Sequence, residues 1–159
     1  MLKNSLGKTG YVGEVLSSII DTEISWPAAS GAWGDLTSKV IPAGAWLVSS
    51  VLHFSKYDAT YSGGVIGRLY LGMSTTTGNN GANLSAGVNL VQFFNSGLSG
   101  GAYGIPMYLS VVVVSTGSNL TVSGKSLTGN TLYVKGYNDA FIAGGPRYSL
   151  KLEAIRIAM

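Results

Sequence analysis

Short apolar runs separated by glycine-rich turns recur along the whole chain, and about eight of them have the length of a β-strand. Their β-branched residues and regular spacing are typical of an all-β sandwich or barrel. No stretch of ten or more residues keeps a helical period, so almost no helix is expected. Connections of about ten residues fit the crossovers of a jelly roll better than short hairpins. We therefore predict an antiparallel, jelly-roll-like β-sandwich.

Three predicted strands carry apolar residues on both faces, namely residues 46–54, 107–115 and 148–158. In the last of them, the apolar positions change face between Leu152 and Ile155. Burial of both faces would explain all three patterns, because a half-buried strand alternates strictly between apolar and polar residues. A β-bulge is the alternative explanation for the last strand.

The chain has 159 residues, which is enough for one domain with a hydrophobic core. Residues 13–159 are predicted to form this domain, and the polar residues 1–12 an N-terminal arm. The arm either lies on a neighbouring subunit or is a disordered terminus. Within the domain we predict a first strand over residues 11–20, where the pattern overlaps the arm. Residues 21–34 are predicted to be irregular, and residues 117–129 to form a weak strand or turn.

Charged side chains are unusually scarce. They make up 11% of the residues, against about 25% in an average soluble protein. Many surface positions must therefore be Ser, Thr, Asn, Gly or Tyr, and this composition favours a chain that faces other chains. The ten Lys and Arg residues against seven Asp and Glu are scattered rather than clustered. No nucleic-acid partner is expected, because such proteins concentrate basic residues on one face.

The absence of cysteine excludes disulfides, thiolate metal sites and cysteine nucleophiles. Residues 1–13 contain two lysines but no apolar core of a signal peptide. The longest strictly apolar run, residues 111–114, is too short for a transmembrane helix. We expect a protein made in the cytoplasm, without processing and without membrane insertion.

Candidate catalytic and cofactor-binding residues are few. His53 is the only histidine, and it lies in a predicted strand, where a structural role is the more common one. The glycines of residues 63–67 precede a strand rather than a helix, so they do not form a phosphate loop. No catalytic residue, metal site or cofactor is predicted, and the chain is expected not to be an enzyme. The seven scattered carboxylates leave a polysaccharide-degrading enzyme as a weaker alternative.

Tyrosine is frequent, with nine residues in the chain, and several lie in predicted loops beside Asn, Ser and Gly. This combination is typical of adaptable binding surfaces, because tyrosine contributes both an aromatic face and a hydroxyl. Packing between subunits is the alternative role. The candidate surface-binding loops contain Tyr57, Tyr61, Tyr103, Tyr137 and Asn138.

Four segments of the chain form a recognisable set of motifs. Residues 13–18 read GEVLSS, and residues 36–54 read LTSKVIPAGAWLVSSVLHF. Residues 71–77 read LGMSTTT, and residues 149–157 read SLKLEAIRI. Together these segments resemble small structural proteins of tailed bacteriophages. The resemblance implies a jelly-roll-like virion component, commonly trimeric, that acts as a capsid decoration or cement protein or as a head-fibre or tail-fibre module. It implies no catalytic residues.

From this resemblance we predict a capsid decoration protein that binds the outer shell as an oligomer and stabilises it. The alternative is a fibre tip that recognises a saccharide on the host surface. Its partners would be further copies of itself, in a homotrimer, and viral capsid or tail proteins. The candidate contacts to the shell or to a neighbour lie in and next to the arm, at Leu2, Lys3, Leu6, Lys8 and Tyr11.

Overall fold

Ten β-strands make up most of the structure, which is a computed structural model. It describes residues 10–27, 32–56, 68–78, 89–93, 103–138 and 146–159. Within these ranges there is no helix, and the strands form two antiparallel sheets, which confirms the predicted all-β fold class. The strands are β1 Val15–Ser25, β2 Ala32–Val40, β3 Gly44–Lys56, β4 Arg68–Ser74, β5 Asn89–Phe93, β6 Tyr103–Ser115, β7 Asn119–Val122, β8 Lys125–Thr128, β9 Thr131–Asn138 and β10 Pro146–Ala158.

The strand order is that of a jelly roll with one additional hairpin. The six-stranded sheet has the order β1-β10-β3-β6-β7-β8, and the four-stranded sheet has the order β2-β9-β4-β5. When the β7–β8 hairpin is set aside, each sheet keeps four strands, and every connection except that from β4 to β5 crosses between the sheets, as in two interlocked Greek keys. There are ten strands rather than the eight expected because residues 117–129 contain two strands instead of one and because β2 was not predicted.

The hairpin lies in the segment where the sequence pattern indicates only a weak strand or turn. Its two strands are joined by Ser123 and Gly124, with φ angles of 50° and 80°. Two consecutive residues with positive φ are typical of the tight turns whose twist matches that of antiparallel strands. The serine is the one non-glycine residue with positive φ in the described ranges. Because serine is a weak signal for such a turn, the sequence did not define this hairpin.

Two boundaries near the N-terminus differ from the prediction. The first strand begins at Val15 rather than at residue 11 and continues to Ser25. The prediction that residues 21–34 are irregular is also wrong in part, because they contain the end of β1 and the start of β2. A register shift between Ile20 and Ile24 in the pairing of β1 with β10 breaks the alternation there. A bulge of this kind hides a strand from a search for strict alternation.

The hydrophobic core lies between the two sheets. On β3, every second residue from Trp46 to Phe54 faces the core, as the alternation of the sequence predicts. The indole nitrogen of Trp46 donates a hydrogen bond to the carbonyl of Pro42 at 2.9 Å, so this buried polar group is paired. The four-stranded sheet contributes buried side chains from β4 and β9, among them Leu71, Met73, Leu132 and Val134.

The prediction of strands buried on both faces is wrong for the single chain. Leu47 on β3 is 40% exposed and Val112 on β6 is 49% exposed. Their neighbours along each strand are buried, so both strands alternate regularly between core and surface. The outward-facing apolar residues of β3 and β6 are therefore not buried within this chain. They lie on a sheet face that is exposed in the single chain.

The last strand also keeps its alternation, with Leu152 facing the core and Ile155 and Ile157 on the outer face, so the explanations by a bulge between Leu152 and Ile155 or by burial of both faces are wrong. Ala154 and Arg156 continue the buried face of β10, and the register shift against β3 lies between Arg156 and Ala158. A hydrophobic pattern assigns every arginine to the surface, including one that occupies a core position. Here it is buried because a carboxylate, that of Glu14, lies against it.

Candidate functional site

The outer face of the six-stranded sheet carries apolar side chains that remain exposed in the single chain. Tyr108 on β6, for example, is 63% exposed. Single exposed apolar residues are ordinary on proteins, whereas a contiguous group marks an interaction surface. We call this surface the open face. It consists of Val15, Ser17, Ile19, Leu47, Ser49, Val51, Tyr108, Ser110, Val112, Val114, Lys151, Glu153, Ile155 and Ile157.

The strand register arranges most of the open face into three parallel rows that cross four strands. Two rows contain large apolar side chains, and a row of small polar side chains lies between them. This order follows from the pleat, because side chains two residues apart point to the same face. The upper row is Val15, Ile155, Leu47 and Val112; the serine row is Ser17, Glu153, Ser49 and Ser110; the lower row is Ile19, Lys151, Val51 and Tyr108.

Charge on these three rows is limited to one neutral pair. Lys151 and Glu153 follow one another on the same face of β10, and their side chains form an ion pair at 2.7 Å. Near one end of the same sheet, His53 Nδ1 lies 3.7 Å from Glu23 Oε1, with both side chains partly exposed. The three rows therefore present an apolar surface without net charge.

A second surface, on the outside of the four-stranded sheet, is aromatic. Trp33, Tyr137 and Tyr70 lie opposite one another on β2, β9 and β4. Their ring centroids are 5.3–5.8 Å apart, and all three side chains are half-buried. Tilted and edge-to-face contacts at such distances are favourable for aromatic rings. We call these three residues the aromatic cluster.

Beside the aromatic cluster, a buried lysine ties the segment after β4 to the sheet. Lys135 is 0% exposed, and its ammonium donates hydrogen bonds of 2.6 Å to Asp35 Oδ1 and to the carbonyl of Gly78. Asp35 Oδ2 accepts hydrogen bonds from the Thr77 hydroxyl at 2.6 Å and from the Gly78 amide at 3.0 Å. Because these partners hold the ammonium inside the protein, Lys135 has a structural role.

The pKa of Asp35 lies below its usual range. Partial burial by itself raises this pKa, but hydrogen bonds from Lys135, Thr77 and Gly78 and the positive charge of Lys135 outweigh that effect. Asp35 therefore stays ionised as the partner of the buried ammonium.

Of the candidate shell contacts, only Tyr11 lies in the described residues, where it is exposed. It belongs to a turn over residues 10–13 whose Gly13 amide donates to the Arg156 carbonyl at 2.8 Å. Leu2, Lys3, Leu6 and Lys8 lie outside the described residues. The described residues thus include the last part of the predicted arm, residues 10–12.

The candidate binding loops are placed differently from the prediction. Tyr103 and Asn138 lie in β6 and β9 rather than in loops, because both strands extend further than their apolar runs. Tyr137 also lies in β9, within the aromatic cluster. Tyr57 and Tyr61 lie outside the described residues.

Sequence reasoning did not identify the partners of Tyr137. Tyr70 occupies the outward face of a strand whose inward face carries Leu71 and Met73, and this alternation was the available signal. Trp33 falls in a segment predicted to be irregular, so no pattern placed it next to Tyr137. Register between strands that are distant in sequence brought the three rings together.

Within the described ranges, no three His, Asp or Glu side chains are grouped so that they could hold a metal ion. Those ranges also contain no helix of the length and hydropathy that would cross a membrane. Comparison with protein-family models and with curated proteins gives no match for this chain.

Proposed function

We propose that this chain is a non-enzymatic structural protein of a virion, most concretely a capsid decoration or cement protein that binds the outer shell as an oligomer. The observation that carries the proposal is the open face, whose apolar rows cross four strands. A contiguous apolar surface of this kind serves protein–protein contact. The resemblance to structural proteins of tailed bacteriophages is the reason for proposing that the protein is part of the virion. It would be synthesised in the host cytoplasm.

The proposed mechanism is mechanical. Full burial of one valine or leucine side chain contributes about 1.5–3 kcal/mol relative to exposure, and part of the total is offset by the cost of association. Repetition of a modest contact over a shell lattice stabilises the shell without any chemistry. The resemblance implies three chains in each oligomer, and we propose the N-terminal arm as the contact to the shell or to a neighbouring subunit.

The role of the arm in binding the shell can be tested by truncation, and the structure shows how many residues can be removed. The Gly10 amide donates to Glu14 Oε2 at 2.7 Å, so removal of residues 1–12 would also remove a hydrogen bond of the folded domain. Removal of residues 1–9 spares it. We expect the shorter deletion to abolish co-sedimentation with empty capsids while the circular dichroism spectrum stays unchanged. Retained binding would contradict the role of the arm.

Copy number in purified particles tests the proposal as a whole. Quantitative mass spectrometry of particles of the virus that encodes this chain should find hundreds of copies if it decorates a shell. About a dozen copies would instead place it in the tail. Its absence from particles would overturn the proposal of a virion protein.

The aromatic cluster favours one second candidate function, recognition of a host saccharide. Half-buried Trp33, Tyr70 and Tyr137 offer ring faces, and aromatic rings with hydroxyl groups suit ligands that are apolar on one side and polar on the other. A glycan array should then show binding that is lost in Tyr137→Ala and kept in Tyr108→Ala on the opposite sheet. No binding by the parent chain would exclude this candidate.

A further inference from the structure

We infer that the partner covering the open face is a second copy of this chain, packed sheet against sheet around a twofold axis. This arrangement goes beyond the proposed function and gives pairs of chains in place of the trimer that the resemblance implies. Such a contact is isologous, which means that the same rows of both copies face one another. It yields pairs of chains, whereas a homotrimer needs two different contact surfaces on each chain. The shape, the charge and the size of the open face each favour this occupant.

The shape of the open face can fit a second copy over β3 and β6. There the upper and lower rows form two ridges of larger side chains, and the serine row forms a groove between them because Ser49 and Ser110 are short; on β10, Glu153 interrupts the groove. Neighbouring rows on one face are about 7 Å apart, since they are two residues apart along each strand. A ridge of one copy can therefore lie in the groove of the other. Packed sheets interdigitate in this way at a separation of about 10 Å.

The charge of the open face also fits a second copy. When a face packs against its own copy around a twofold axis, any net charge on it meets the same charge, and this repulsion disfavours association. The chain as a whole carries a net charge of +3. On the three rows, however, Lys151 and Glu153 neutralise each other at 2.7 Å within one chain. A strongly acidic or basic partner would find no complementary charge there.

The sheet that carries the open face is large enough for a stable pair. β1 has 11 residues, and β10, β3 and β6 have 13 residues each. Four strands at a spacing of about 4.8 Å give a width of about 19 Å, and their length is about 40 Å. The outer side of the four strands therefore covers about 800 Å², the area that each partner contributes to a standard stable interface, and the open face is its central part.

The mass of the full-length protein in solution is the first test. Analytical ultracentrifugation should give twice the 16.5 kDa of one chain. We expect Leu47→Lys and Val112→Lys to raise the dissociation constant of the pair about 30-fold or more, as expected for loss of a central contact. Val40→Lys is the matched control, because Val40 is 54% exposed at the end of β2 and lies outside the open face. It should leave the pair intact.

Three results of this experiment would overturn the inference. They are a parent protein that is monomeric at 100 µM concentration, a mass of three chains, and a pair that both open-face variants leave unchanged. Circular dichroism of each variant shows whether it is folded. Loss of fold is not expected, because Leu47 and Val112 both point away from the core.

Single cysteines give an independent test that does not depend on destabilising the pair. Because the chain has no cysteine, one introduced thiol can be cross-linked only to the same position of another copy. We expect a flexible bis-maleimide, which joins thiols that do not touch, to link at least one of Ser17→Cys, Ser49→Cys and Ser110→Cys into dimers. Ser118→Cys, exposed in the turn before β7, should stay unlinked. Absence of dimers in all three serine-row variants would contradict the face-to-face arrangement.

Failure of this inference differs from failure of the proposed function. A monomer in solution that is abundant in particles would refute the pairing and leave the virion role intact. A stable pair that is absent from particles would support the pairing and refute the virion role.

Discussion

Arg156 and Glu14 form an ion pair inside the sandwich, where both side chains are only 6% exposed. Arg156 Nε and Nη2 lie 3.0 and 2.9 Å from Glu14 Oε2, and Nη1 donates to the carbonyl of Ala43. The guanidinium also lies over the ring of Trp46, 4.4 Å from its centroid. Buried charges of this kind are tolerated only when they are paired and hydrogen-bonded.

Substitution Glu14→Gln should lower the free energy of unfolding by about 3–5 kcal/mol, because it leaves the buried guanidinium without a counter-charge. Urea denaturation at pH 7 measures this change. Glu23→Gln is the control, since that carboxylate is partly exposed and lies 3.7 Å from His53, outside the open face. Loss of an exposed pair costs at most about 1 kcal/mol. Equal effects of the two substitutions would show that burial of the first pair does not matter.

The Lys135–Asp35 pair makes stability depend on pH. The pKa of Asp35 is lowered in the folded protein, so its contribution is present above the pKa of the unfolded chain, about 3.9. The contribution is lost as the pH falls through the lowered folded pKa. Acid should therefore weaken the attachment of Gly78 to the sheet, which depends on both partners of the pair.

Substitution Asp35→Asn should destabilise the protein by about 3 kcal/mol at pH 7, because it leaves a fully buried ammonium without a carboxylate. The difference from the parent protein should shrink when the pH is lowered from 5 to 2. Urea midpoints across this range measure it. Asp21→Asn, at an exposed position, controls for the general loss of one negative charge. A difference that stays constant with pH would contradict the role of Asp35.

At the scale of single elements, Gly136 shows how a small residue in a strand positions an aromatic ring. A Cβ atom on Gly136 would lie 2.6 Å from Cζ2 of Trp26 and 2.9 Å from Cδ1 of Leu36. The absence of a side chain therefore leaves room for the indole. In that place Trp26 makes edge-to-face contacts with Phe54 and Tyr148 at 5.3 and 5.5 Å.

Substitution Gly136→Ala should cost about 1–3 kcal/mol, the range for overpacking a core, because the rigid indole has to move. The cost should fall by about 1 kcal/mol or more when Trp26→Phe is also present, since residues in contact couple. Thermal denaturation of the parent, the two single variants and the double variant gives this coupling. An equal cost with and without Trp26→Phe would show that the indole is not the obstacle.

Strands β3 and β10 show which sequence signals were sufficient to predict the buried face of a strand. The alternation of β3 correctly gave the buried face from Trp46 to Phe54, because hydrophobic burial has the period of the strand itself. The same reasoning failed for β10, since buried Arg156 has a partner 142 positions away in the chain. A pattern along one strand contains no information about a partner on another.

At the scale of the whole molecule, the open face connects the fold to association. Its rows form because β1, β10, β3 and β6 lie side by side in the jelly-roll order. The four strands come from both ends and the middle of the sequence, so no local segment contains the surface. The same order places the aromatic cluster on the opposite side of the sandwich.

Self-association through this face should strengthen or stay unchanged when salt is added. Salting-out ions favour apolar burial, while the Lys151–Glu153 pair is neutral within each chain. Sedimentation in 0.05 M and 0.5 M sodium chloride, and then in sodium sulfate, measures the dissociation constant. Tenfold weaker association at high salt would indicate an electrostatic contact between exposed charges instead.

The amino-acid sequence by itself determined the all-β class, the jelly-roll-like sandwich and the buried face of its central strand. These follow from short-range alternation and from turn residues, which are properties of neighbouring positions. Tertiary structure alone decided the position of the β7–β8 hairpin, the buried Arg156 and the uncovered side of the large sheet. Each of these depends on pairing between distant strands, and the pairing determines which side chains meet and which stay exposed.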